Sequence, residues 1–306
     1  MPLIELAATI NGVRIDDDFA EAFPMHGTAI QITAATEEWA VESARKMTGF
    51  ATSVIACGCE GGIDHVVPAS RTRDGRPGVR VLLFAMDRKS LAGQLGTRLG
   101  QCVLTAPSTA CYADFCSDKE IELGSAIRYF ADGFQVSKKF GDRHYWRMPV
   151  MEGEFVCEAM TGYTDEGVGG GNLLIMAANA ANALKASEAA AEAMRAIEDV
   201  ILPFPGGIVR SGSKLGGKYP GMMASSNDAY CPTLKGATQS KLDDDIGSVL
   251  EIVIDGLSAK AVSEAMAAGI KAICDLGPDE GALRIGAGNY GGGLGPHHFR
   301  LKELLP

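Results

Sequence analysis

The order of apolar runs constrains this chain most, because strand-like, helix-like and strand-like segments follow one another twice in each half. Residues 28–33 (TAIQIT) alternate as a half-buried strand does. Thr36, with Glu37 and Glu38 behind it, then starts a helix that carries acids in its first turn and runs toward Met47. The apolar run 51–57 (ATSVIAC) reads as the next strand, followed by a strand at 79–86, a helix at 87–99 and a strand at 101–105 (QCVLT). The second half repeats the order: 172–177 (NLLIMA), an alanine-rich helix at 180–197 and a strand at 199–204. A strand at 249–254, a helix capped by Ser258 and a strand at 282–287 complete it. Two β-α-β pairs per half predict an α+β protein of two related, ferredoxin-like lobes, divided as 1–155 and 156–306.

Composition narrows the function. A net charge of −10 on 306 residues gives no general attraction to nucleic acid or an anionic membrane surface. No apolar run approaches the roughly 20 residues of a bilayer span, and the N-terminal stretch has neither the basic nor the apolar region of a signal peptide. The eight cysteines lack the spacing of a disulfide framework, which reads as reduced thiols in a cytoplasmic protein. Cys57-Gly58-Cys59, with His65 nearby, lacks the second ligand pair of a zinc site.

The segments between the elements, 106–146, 161–171, 204–240 and 286–298, are long and rich in glycine, and long loops on a rigid scaffold carry chemistry. Residues 212–219, GSKLGGKY, match a phosphate-binding P-loop except at the last position. Tyr219 stands where the magnesium-binding hydroxyl belongs, and Pro220-Gly221 stops the helix a P-loop requires. The segment 203–218 still offers Arg210, Lys214 and Lys218 with Ser211, Ser213 and five glycines, either as an anion-binding loop or as a solvated one. Residues 127–147 interleave bases and aromatics. They read as a hairpin turning at Phe140-Gly141-Asp142 with its aromatics inward, or as a stacking platform.

In VLEIVIDG, 249–256, Glu251 shares a strand face with Val249, Val253 and Asp255. Apolar surroundings raise a carboxyl pKa and make Glu251 a candidate general acid, whereas the pattern alone also fits a glutamate on the wet face of an antiparallel sheet. No Ser-His-Asp or Cys-His signature is visible.

A set of longer motifs runs through the whole chain in order: FAEAFPM (19–25), DGRPGV (74–79), RYFADGFQVSKK (128–139) and YWRMPVMEGEF (145–155), then GGGNLLI (169–175), ILPFPGGIVRSGSKLGGKY (201–219), SSNDAYCPTL (225–234), EIVIDGL (251–257) and GAGNYGGGLGP (286–296). Together they resemble formylmethanofuran:tetrahydromethanopterin formyltransferases. The resemblance implies two ferredoxin-like lobes, a homotetramer, and reversible formyl transfer between methanofuran and N5 of tetrahydromethanopterin by direct amine attack. It implies no metal or prosthetic group. It also places the chain in methanogenesis or methylotrophy, in the latter case with the partner subunits of a formyltransferase/hydrolase complex. On this resemblance Glu251 is the residue at the reacting centre. Arg210, Ser211, Lys214, Lys218, Ser226, Asn227, Asn289 and Tyr290 are candidate contacts to the two carriers. The competing expectations are a noncatalytic structural subunit and a nucleotide-binding protein.

Overall fold

A computed structural model describes residues 5–305. The chain forms two compact units, a central one of residues 25–167 and a flanking one built from the segments before residue 25 and after residue 167. It begins with the hairpin β1 (Leu6–Ile10) and β2 (Val13–Asp16). Asn11 and Gly12, both at positive φ, make its two-residue turn. Strand β3 (Phe19–Thr33) follows.

The central unit uses residues 26–33 of β3, then α1 (Glu37–Thr48), β4 (Glu60–Val67), β5 (Gly78–Ala85), α2 (Arg88–Arg98) and β6 (Ala110–Ala113). The strands lie in the order β4-β5-β3-β6, all antiparallel, which is the ferredoxin-like β-α-β-β-α-β arrangement. Thr36 caps α1 by accepting from the Trp39 amide, as expected. Ile30, Ile32, Val81 and Leu83 pack against Met47, Leu91 and Leu95 of the two helices, and each such burial stabilises by about 1.5–3 kcal/mol.

Two expected strands are helical instead. Within 51–57, Val54–Cys57 forms a short helical turn capped by Ser53 and stopped by left-handed Gly58, so the strand starts only at Glu60. Within 101–105 the chain continues α2 as a π-turn, Leu99–Val103, with the Leu104 amide on the Leu99 carbonyl at 2.9 Å. Both are short buried apolar runs, whose periodicity does not separate strand from helix.

Strands β7 (Val136–Phe140) and β8 (Arg143–Val150) form the expected hairpin, which β9 (Gly153–Glu158) extends. Four aromatics of 127–147 do not point inward as expected: Tyr129, Phe130 and Phe134 before the hairpin and Phe140 on it are 69–75% exposed. Edge strand β7 is exposed along its whole length, and Trp146, Met148 and Val150 of β8 turn to the core.

The flanking unit repeats the arrangement with β10 (Thr164–Ala177, from residue 168 on), α3 (Ala180–Arg195), β11 (Val200–Ile201), β14 (Ser248–Gly256), α4 (Ala259–Leu276) and β15 (Arg284–Gly286). Between β11 and β14 lie the two-residue strands β12 (Lys214–Leu215) and β13 (Ala224–Ser225). The sheet order is β11-β14-β10-β15, again antiparallel. Asn179 and Ser258 cap the two helices, which meet where Gly269 lets Met194 approach; a Cβ there would lie 2.1 Å from the Met194 methyl. The protein is thus α+β with two lobes of one design. Strand β2 adds in parallel beside β15, and β16 (His297–Arg300) pairs with Phe19–Ala22 of β3. These pairings carry residues 5–24 into the flanking unit. The contiguous division 1–155 and 156–306 follows the order of the chain instead. No helix among the described residues is long and apolar enough to cross a membrane.

Candidate functional site

The register of the flanking sheet sorts its side chains onto two faces. Glu251 stands opposite Leu174, and Leu174 opposite Gly286. Leu173, Ile175, Ile252, Ile254 and Ile285 therefore pack on α3 and α4. Asn172, Leu174, Met176, Glu251 and Arg284 share the other face. That second face is covered, not wet. Tyr230, Leu242 and Ile246 of the long β11–β14 connection pack on Leu174 and Met176. Val209 exchanges both backbone hydrogen bonds with Glu251, at 2.7 and 2.9 Å. Buried Arg284 holds the end of the cover: it grips Asp16 at 2.7 and 3.0 Å and reaches the Lys241 carbonyl and Asp243 at 3.1 and 3.2 Å. Burial raises the Asp16 pKa in spite of that partner.

Glu251 is consequently only 3% exposed. Its Oε1 accepts from Asn172 Nδ2 at 3.3 Å and from Ser213 Oγ at 3.4 Å, while the buried Oε2 has no hydrogen-bond partner among the described residues. Desolvation pushes its pKa from an ordinary 4.5 up to about 7, against the two hydrogen bonds. Asn172 is itself fixed, because its Oδ1 accepts from the Gly288 amide at 2.6 Å. The Tyr290 hydroxyl lies 3.2 Å from Ser213 Oγ and donates to the Ser213 carbonyl at 3.3 Å. Burial also raises the Tyr290 pKa, with the charges of Glu251 and Glu21 adding to the rise, so the phenol stays a neutral donor. Asn172, Ser213 and Tyr290 thus form a hydrogen-bonded shell around one carboxyl that holds its proton near neutral pH.

GSKLGGKY is a hairpin and not a nucleotide loop. Lys214 and Leu215 of β12 pair with Ser225 and Ala224 of β13. Tyr219-Pro220-Gly221-Met222 closes a turn with Gly221 at φ +81°, the conformation a type II turn requires. Lys214 carries the strand across to an ion pair with Asp228. Beside it opens a cleft of roughly 330 Å³ lined by Lys214, Asn227, Tyr230, Lys241, Asn289 and Tyr290.

Four of the sequence candidates, Lys214, Asn227, Asn289 and Tyr290, therefore meet at one cleft whose Tyr290 wall adjoins Ser213 and Glu251. Arg210, Ser211, Lys218 and Ser226 are exposed on the covering segment and do not line that cleft. The Asn289 side chain donates to Asp18 ahead of β3 at 2.9 Å and accepts from Gly291 of its own loop at 2.8 Å. Sequence reasoning did not single out Asn172, Tyr230, Lys241 or Glu21. The signal for Asn172 was a polar residue heading the apolar strand NLLIMA.

In the central unit the Cys57 thiol lies 3.6 Å from the Thr52 hydroxyl, and Cys59 donates to Gln94 at 3.5 Å. Among the described residues no three His, Cys, Asp or Glu side chains cluster as metal ligands would.

Comparison with known proteins places this geometry. Residues 8–150 match the family model described as formylmethanofuran-tetrahydromethanopterin formyltransferase, and residues 153–304 match that of its proximal lobe. A formylmethanofuran–tetrahydromethanopterin formyltransferase from Methylococcus capsulatus is 58% identical, over 97% of this chain and 99% of that one. Its counterpart from Methanocaldococcus jannaschii is 45% identical over the same shares. The crystal structure of the formyltransferase/hydrolase complex from Methylorubrum extorquens with methylofuran contains a chain that superposes with a TM-score of 0.95 at 54% identity, covering 97% of this chain and 98% of that one.

Proposed function

We infer the function from one premise: the chain belongs to the formylmethanofuran–tetrahydromethanopterin formyltransferase family. It is a formyltransferase, moving a formyl group reversibly between methanofuran and tetrahydromethanopterin in one-carbon metabolism. The relatives from methanogens and methylotrophs favour this catalytic reading over a structural role alone.

In the mechanism we propose, the lone pair of the accepting amine forms a bond to the formyl carbon, and the carbonyl π pair moves onto oxygen. Collapse of that oxyanion breaks the bond to the donor nitrogen. The attacking nitrogen loses a proton and the leaving nitrogen gains one. Protonated Glu251 donates a hydrogen bond to the oxyanion or carries that proton between the amines. The observation that carries this role is a buried carboxyl oxygen, Oε2, with no hydrogen-bond partner among the described residues, on a group whose pKa burial pushes up to about 7. Both carriers bind together, so orientation and exclusion of water lower the barrier further. Lys214, Asn227, Asn289 and Tyr290 contact a carrier in the cleft, and Arg210, Ser211, Lys218 and Ser226 meet the anionic tails from the surface of the same segment.

The reading extends to a cytoplasmic homotetramer with contiguous lobes 1–155 and 156–306, and family models meeting between residues 150 and 153 support that division. Assembly into a formyltransferase/hydrolase complex is supported by the Methylorubrum extorquens relative, which is named as one component of such a complex and is 54% identical to this chain. The mechanism needs no prosthetic group. Glu251→Gln is expected to fold and to lose about 10²–10³ in kcat. A variant within about threefold of wild type contradicts the role.

A further inference from the structure

We propose that Glu21 is a positioning residue whose carboxylate gathers the amides of the glycine-rich loop after β15 and thereby sets the Tyr290 hydroxyl against Ser213 and Glu251. Glu21 lies in the first part of β3 and is completely buried. Among the described residues no cation pairs with it. Four backbone amides satisfy it instead. Oε2 accepts from Tyr290 at 2.9 Å and Gly292 at 3.0 Å, and Oε1 from Gly295 at 3.3 Å and from Leu294. The Glu21 amide in turn donates to the Gly288 carbonyl at 3.1 Å. Residues 288 to 295 are therefore wrapped around one carboxylate.

Glycine makes the wrap possible, since Gly291 and Gly292 sit at φ +93° and +76° and turn successive amides toward one point. Desolvation works to raise the Glu21 pKa, and the amides of Leu294, Gly292, Tyr290 and Gly295 outweigh it and hold it below the ordinary value. The loop so fixed carries both Gly288, which orients Asn172, and Tyr290, which meets Ser213. Asn172 and Ser213 are the two donors on Glu251. Glu21 touches neither Glu251 nor the cleft, so it acts through the loop. A glutamine there offers one acceptor oxygen and turns an NH₂ group toward amides that are themselves donors.

This inference rests on the proposed role of Glu251, and its test begins with a readout that needs no turnover. Hydrogen exchange of the full chain, followed by mass spectrometry, is expected to show slow exchange across residues 288–295 in the wild type and fast exchange in Glu21→Gln. Loop amides that exchange freely in the wild type overturn the clasp, whatever the activity. In formyl-transfer assays Glu21→Gln is expected to lower kcat at least about tenfold while changing either KM less than about threefold. In a Tyr290→Phe background the same substitution is expected to cost clearly less than in the wild type, because the Tyr290 route is already cut and only the one through Gly288 and Asn172 remains. An equal loss in both backgrounds, or no loss in either, overturns the positioning role. Should Glu21→Gln fail to fold, Glu21→Asp keeps the charge but falls one methylene short. An intermediate loss of kcat is expected there, and wild-type kcat with wild-type exchange overturns the proposal.

Discussion

Glu251→Gln separates the proton held by this carboxyl from its shape. Burial raises the Glu251 pKa from 4.5 in an exposed chain to about 7 in the fold. The folded protein then binds that proton more tightly than the unfolded chain does. Stability from this group is fully present below about pH 4.5 and is lost as the pH rises through about 7. At about 1.4 kcal/mol per pH unit the loss is on the order of 3 kcal/mol. Glutamine keeps the acceptor for Asn172 and Ser213 and never ionises. The variant should therefore match the wild type within about 1 kcal/mol below pH 4.5 and exceed it by about 3 kcal/mol above pH 8. Urea unfolding of both proteins across that pH range reads the difference, and every other titrating group cancels between them. A difference that stays constant with pH refutes the raised pKa and with it the protonated acid.

Three further outcomes follow from the same geometry. Arg284→Ala leaves Asp16 and Asp243 without their buried partner and should destabilise by about 3–5 kcal/mol in urea unfolding; a loss below about 1 kcal/mol contradicts the role of that ion pair in holding the covering segment. Lys218→Ala should raise the KM for a carrier more than Lys214→Ala, because the Lys214 charge already meets Asp228, and the reverse order in steady-state kinetics counts against tail binding by Lys218. Asn172→Asp sets a second carboxylate against Glu251 Oε1, raises its pKa further and should move the alkaline fall of kcat to higher pH; an unmoved pH–rate profile contradicts Glu251 as the titrating acid.

Much of this was legible in the sequence because helices and strands announce themselves by local periodicity and caps. Thr36 and Ser258 mark helix starts, and the repeated β-α-β order specifies two lobes of one design. The apolar runs 51–57 and 101–105 are not legible in this way, since a handful of buried residues fits a strand or a turn of helix equally well. The face of Glu251 was readable from alternation, but its burial was not. Leu242 and Ile246 cover Leu174 and Met176 of that same face from a segment whose sequence carries no regular period. Glu21 was invisible for a related reason, because its partners are backbone amides nearly the whole chain away and backbone amides have no signature. The exposure of Phe140 likewise follows from its place on an edge strand that is exposed along its whole length, a fact of tertiary structure alone.

The most direct measurement is formyl transfer by the purified chain, with formylmethanofuran and tetrahydromethanopterin supplied together and separately and the formylated pterin followed spectrophotometrically. The account predicts turnover that requires both carriers and that falls about 10²–10³-fold in Glu251→Gln. Turnover that the variant retains, or no transfer by the wild type with both carriers bound, would contradict it.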